Sequence, residues 1–232
     1  MNSHRTTARI VGALFLISNV VFLTGAFAFV EPTLSAPDYL SLASTNRISV
    51  ILGVFLELIN GVAYIGIAVL MFPIFRRRFE SLALAYVAFR TIEFVMQTLS
   101  DLSPLVLLTV SEEFVGAGAA EAVALQAVGT LLLAARYWAF HMVSVTLVLG
   151  ALLFYPMLYR TRLIPRFISV WGFIGALVVL ANAVMEMVGF QPGNLGILML
   201  LNEVFLGVWL IVKGFNPSAV ASLAGGSDAD RV

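Results

Sequence analysis

The sequence predicts an all-α fold, a polytopic membrane helix bundle with six transmembrane helices, and three observations predict it. The 232-residue chain is 61% hydrophobic and 11% charged, with a mean hydropathy of +1.01, against roughly 25% charged residues in an average soluble domain. Its apolar residues gather into runs close to the roughly 20 residues that cross a hydrocarbon layer about 30 Å thick. Its arginines gather between alternate runs. The formal net charge is zero and the one basic block is Arg76-Arg77-Arg78, so the electrostatic footprint of a nucleic-acid binder is missing. No cysteine is present, which excludes disulfides, thiolate chemistry, iron–sulfur ligation and Cys-based zinc sites together.

The first span is expected at about 10–30, preceded by Arg5 and Arg9 and closed by Glu31-Pro32. A cleaved signal peptide competes with it, since Ala26-Phe27-Ala28 resembles a cleavage site, although the run exceeds the roughly 7 to 15 residues of a signal core. Residues 31–46, with Pro32, Pro37 and Asp38, read as a short external loop holding one helical turn begun at Ser35. The second span, 48–75, contains Glu57 and Asn60 and ends at Pro73 before the triple arginine; the third, 80–100, contains Arg90, Glu93 and Gln97. Residues 100–130 read as a longer outer loop between helices 3 and 4, with an Ala-rich section able to form an interfacial amphipathic helix.

The fourth span, 132–158, holds Arg136, His141 and Ser144 and closes on Pro156 ahead of Arg160, Arg162 and Arg166. Pro165 starts the fifth, 165–188, with Asn182 and Glu186 late in it. After the turn Gln191-Pro192-Gly193-Asn194 comes the sixth, 195–212, with Asn202 and Glu203, stopping at Lys213. The polar tail 218–232 is expected to be disordered, leaving 1–217 as a single transmembrane domain. Glycines within the spans, among them Gly61, Gly66, Gly172 and Gly175, read as close helix packing, and Trp138, Trp171, Tyr155 and Tyr159 as interface anchors.

Placing both termini in the cytoplasm puts Arg5, Arg9, Arg76, Arg77, Arg78, Arg160, Arg162, Arg166, Lys213 and Arg231 inside and leaves Arg47 and Arg136 at outer helix mouths. That asymmetry follows the positive-inside rule for short loops and predicts residence in the cytoplasmic membrane. MFPIFRRR and FYPMLYRTR, with Glu57-x-x-x-Gly61 and Glu203-x-x-x-Gly207, form a weak internal echo. Either a duplicated hairpin or the membrane-interface rules alone explain it.

Four stretches carry a resemblance: RTTARIVGALFLISNV at the start, AYVAFRTIEF with its intramembrane Arg-x-x-Glu, RLIPRFISVWGFIGA, and LLNEVFLGVWLIVKGF. Over about Arg5 to Asn216 the chain resembles the bacterial multi-pass proteins grouped as domain of unknown function 4386. The resemblance implies an integral membrane protein of about six or seven helices and supplies no chemistry.

The candidate site is a polar layer. At about 1.5 Å per residue, Arg90 lies near mid-bilayer, where a charge costs on the order of 3 kcal/mol by insertion scales and has to face protein or water. Glu57, His141 and Glu203 lie roughly 10 to 14 Å below the outer ends of their helices, with Glu93 at a similar level. Asn60, Gln97, Asn182 and Asn202 can join through amide hydrogen bonds. Three carboxylates against one permanent cation at depth call for a proton or a bound cation. Small-solute or proton-coupled binding and transport through an Arg90-centred pocket in the outer half of the bilayer is the first reading, with the lipid bilayer and a small polar or anionic ligand as partners. In the second, the same residues are structural glue in a non-catalytic scaffold or partner subunit, each interhelical hydrogen bond contributing about 0.6 to 2 kcal/mol. A membrane-embedded enzyme comes last, because no His-Glu-x-x-His, Gly-x-Ser-x-Gly, phosphate-loop or dinucleotide motif occurs. No catalytic residue, metal or cofactor is expected.

Overall fold

The computed structural model describes residues 2–193 and 195–225. Long apolar runs with few internal breakers give helices, and among the described residues all regular structure is helical: α1 (Asn2–Phe22), continued by a wider π-helical stretch Leu23–Val30, α2 (Glu31–Leu34), α3 (Tyr39–Thr45), α4 (Arg47–Gly116), α5 (Ala119–Thr161), α6 (Arg166–Met187), α7 (Ile197–Val212) and α8 (Pro217–Gly225). Four are long and apolar enough to cross a membrane, or five if α7 and α8, bent by 88°, form one span.

The 70 residues of α4 are two helices joined at Phe79, whose φ of −140° and ψ of 56° leave the helical region. Gln97 reaches Glu57, Arg47 pairs with Glu112, and Phe94 fills the space in front of Gly61. Each pair straddles Phe79 near its midpoint, so 47–78 and 80–116 are antiparallel arms of a hairpin. These arms begin where the second and third spans were expected.

The chain divides into two compact units. One comprises Met1–Asn19, Val62–Glu93 and Ser144–Val232; the other comprises Val20–Gly61 and Phe94–Val143. The core of the first unit is aromatic, with Phe15, Phe75, Tyr86, Phe154 and Tyr155 almost fully buried among Ile67, Met71, Leu158 and Leu206. Here α1 and α7 approach so closely that a Cβ on Gly12 would lie 2.5 Å from the Gly207 carbonyl. Trp171 Nε1 donates to the Leu198 carbonyl at 3.1 Å and Asn202 Nδ2 to the Ile168 carbonyl at 2.9 Å, tying α6 to α7. Tyr155 is no interface anchor: it is buried and its hydroxyl donates to Asn202 Oδ1 at 2.9 Å. Its ring occupies the space a side chain on Gly172 would need.

In the second unit Val30, Leu34, Tyr39, Leu40 and Val54 pack with Leu107 and Val110, beside a smaller cluster of Ala43, Val50 and Leu108. Gly25 and Gly53 meet backbone to backbone, a Cβ on Gly25 falling 2.7 Å from the Gly53 carbonyl. This packing corrects the expected outer loop at 100–130. Ser100, Ser103, Leu107 and Ser111 recur at helical spacing and are buried, with Leu108 and Val110 beside them, which holds the second arm helical to Gly116, and only Ala117 and Gly118 separate it from α5. Toward the C-terminus Pro217–Gly225 is helical, with Ala219 and Leu223 in the first unit's core, so an unstructured tail does not start at 218. Residues 226–232 lie outside the described residues.

Candidate functional site

Helical spacing along the second arm of α4 sets out one polar face: Tyr86, Arg90, Glu93, Gln97 and Asp101, separated by three or four residues. The structure divides the candidates on this face between two sites, one in each unit.

The site in the first unit is built on Arg90, which is 2% exposed. Its Nη1 donates to Glu93 Oε2 at 2.7 Å, one turn along the same helix. The guanidinium carbon lies 4.6 Å from the Tyr64 ring centroid and 5.5 Å from that of Tyr86, so two aromatic faces supply the contact that lipid cannot. Gly150 leaves room for it: a Cβ there would stand 3.4 Å from Arg90 Nε. Tyr64 then connects to a second carboxylate. Its hydroxyl donates to Glu203 Oε2 at 2.6 Å, and Asn19 Nδ2 donates to the same oxygen at 3.4 Å. Arg90, Glu93 and Glu203 are all buried, so one permanent cation stands among two carboxyl groups. Among the described residues, Arg90 Nε and the Tyr86 hydroxyl have no hydrogen-bond partner. An unmet buried polar group costs about 1–3 kcal/mol and marks where a water, ion or ligand belongs.

The site in the second unit is built on Arg136, which the sequence placed at a helix mouth and the structure buries. Because α5 begins at Ala119, Arg136 lies well inside a helix. Its Nη2 lies 3.0 Å from Glu57 Oε1, Nη1 3.4 Å from Asp101 Oδ1, and Nε 3.7 Å from Glu31 Oε1. Gln97 Nε2 donates both to Glu57 Oε2 at 2.9 Å and to Asp101 Oδ1 at 3.0 Å. Glu57 thus takes Arg136 as its cation. His141, also in this unit, is buried, with Nδ1 2.8 Å from the Tyr137 carbonyl, which assigns the proton to that nitrogen.

The remaining candidates lie apart from either cluster. Asn202 ties α6 to Tyr155, Asn182 Nδ2 donates to Glu186 at 2.8 Å one turn on, and Asn60 is half-buried on the turn after Glu57. Sequence reasoning missed Tyr64, Tyr86, Glu31, Asp101 and the role of Arg136. Tyr86 and Asp101 were findable, since each extends the Arg90–Glu93–Gln97 face by one turn. No group of three or more acidic or histidine side chains among the described residues is arranged to hold a metal ion.

No curated protein and no solved structure matches this chain. The family described as domain of unknown function (DUF4386) matches residues 10–214. The polar face of α4 and both buried arginine sites fall within that match, and the chain belongs to this family.

Proposed function

We propose that this is a six-span integral protein of the cytoplasmic membrane, with both termini inside, that binds a small polar or anionic solute at the Arg90 site and couples its movement to a proton. The six spans are α1 with its π-helical continuation, the two arms of α4, α5, α6 and α7. Support for the membrane reading comes from what the helices expose: Ile48, Leu52, Phe55, Ile59 and Val62 form an apolar outward stripe on one arm alone, a surface that suits lipid and not water. The triple arginine at the Phe79 turn and the arginines after α5 support the orientation.

The observation that carries the coupling is the inventory of the first site: one arginine, two carboxyl groups, and two buried polar atoms left open. Glu93 neutralises Arg90, so Glu203 is the group free to carry a proton, hydrogen-bonded to Tyr64 in either state. Arg90 Nε and the Tyr86 hydroxyl are neighbouring donors with no hydrogen-bond acceptor among the described residues, which suits an anionic group on the solute. Ionisable residues held inside spans mark such pathways.

Purified protein in liposomes enclosing a pH-sensitive dye tests this. An imposed pH gradient is expected to drive proton entry through the wild type, and Glu203→Gln, which keeps an acceptor for Tyr64, is expected to abolish it with assembly intact. Equal flux in wild type, Glu203→Gln and protein-free liposomes overturns the proposal. The scaffold reading is favoured by a different observation, the mutual pairing of Arg136, Glu57, Gln97 and Asp101, which leaves Asp101 Oδ2 as the open atom of that cluster among the described residues. We assign that second site a structural role.

A further inference from the structure

Where the first arm of α4 ends, α5 stops, α6 starts and α8 crosses, the first unit has a cleft of about 520 Å³ lined by Arg78, Arg160, Arg162 and Arg166, with Asn216 and Ser218 on the α8 side. Pockets of this size hold small ligands. None of the four arginines forms an ion pair among the described residues, and all four are exposed. Four like charges in one concavity repel each other unless an anion joins them.

Their side chains are nevertheless held in place. Arg78 and Arg160 both lie over the Phe79 ring, at 5.6 and 6.0 Å, and Arg166 lies 4.7 Å over Tyr159. Phe79 is the residue at which α4 folds back, so the hairpin turn itself brings two of the arginines together. Asn216 is also oriented: its Oδ1 accepts from the Ser218 backbone N–H at 3.2 Å and from Ser218 Oγ at 2.8 Å. That leaves its amide N–H groups as the donors offered outward.

Arg162 adds an independent observation. It has a φ of 55°, a left-handed conformation that an L-residue adopts at a cost and that glycine ordinarily fills after a helix C-terminus. The positive-inside rule asks for basic residues on this side of the chain; it does not ask for one in a position suited to glycine, nor for a concave arrangement. An arginine kept where glycine is cheaper points to a use for its side chain.

We infer that this cleft binds the phosphate of a net-anionic ligand, either the headgroup of an anionic phospholipid or a soluble phosphate ester. Guanidinium groups offer paired donors that match phosphate oxygens, and basic pockets between transmembrane helices on the cytoplasmic side are suited to anionic headgroups. The inference rests on the membrane-embedded reading above and is independent of the Arg90 site.

Lipid-depleted full-length protein is titrated with phosphatidylglycerol or with phosphatidylcholine, and bound lipid is counted by native mass spectrometry. Phosphatidylglycerol is expected to bind preferentially, and Arg78→Gln with Arg160→Gln to weaken it by about tenfold or more. Inorganic phosphate that displaces the lipid at comparable concentration identifies a soluble phosphate as the ligand; failure to displace it identifies the headgroup. Equal binding of the two lipids by the wild type, with no inorganic phosphate bound, overturns the inference without any variant. So does unaltered phosphatidylglycerol affinity in the double variant. Should that variant misassemble, Arg78→Lys with Arg160→Lys keeps the charge, loses the forked donors and is expected to bind with intermediate affinity; wild-type affinity there also counts against it. Glu203→Gln is expected to retain full lipid binding, which separates this result from a failure at the Arg90 site.

Discussion

At the scale of single residues, the two buried arginines show that burial and partnership decide what a charge does. Arg90 is held by one carboxylate and two rings, so Arg90→Leu leaves Glu93 uncompensated. The expected loss is about 3–5 kcal/mol, read as a lowered denaturation midpoint in detergent. Arg90→Leu combined with Glu93→Leu is expected to recover most of it, and a double-mutant cycle measures the difference. Arg136→Leu strands Glu57 and Asp101, and a loss of the same order is expected there, in keeping with a structural role. Arg162 reverses the pattern. Relief of its left-handed backbone by Arg162→Gly is expected to stabilise the fold by about 1 kcal/mol while weakening anion binding in the basic cleft. A melting curve and a lipid titration on the same sample check both signs.

At the scale of elements, small residues set how near the helices come. Gly12 against Gly207 joins α1 to α7, and Gly25 against Gly53 packs the π-helical stretch on the first arm of α4. Leucine at Gly12 would have to displace the α7 backbone, since the nearest atom is a carbonyl oxygen. Overpacking of this kind typically costs about 1–3 kcal/mol, and Gly12→Leu is expected to lower thermal stability, whereas Gly116→Ala, with open space around it, is expected to leave it unchanged. The helix periods of α4 and α5 were legible in the sequence. Their lengths were not: the acidic residues between 101 and 121 read as a loop, yet the apolar residues among them pack inward, Asp101 turns in to Arg136, and Glu112, Glu113 and Glu121 face outward.

At the scale of the whole molecule, the absence of cysteine makes topology directly testable, because any cysteine introduced is the single reporter. Cysteine in place of Ala117 or Glu113 is expected to react with a membrane-impermeant maleimide on intact cells, and cysteine in place of Arg77 or Ser222 only after permeabilisation. Labelling of both sets from the same side would refute the six-span arrangement. The sequence by itself determined the class of fold, because an apolar composition broken by arginine clusters leaves helices as the structure that satisfies the backbone inside a bilayer. It also placed Arg90 and Glu93 together, since three-residue spacing on a helix is local information. Pairings across helices were decided only by tertiary structure. Depth along a span tells how far a carboxylate lies from the surface and says nothing of the direction in which its helix face is turned. Glu57 and Glu203 stand at similar depths by residue count, yet rotation and packing give one to Arg136 and the other to Tyr64.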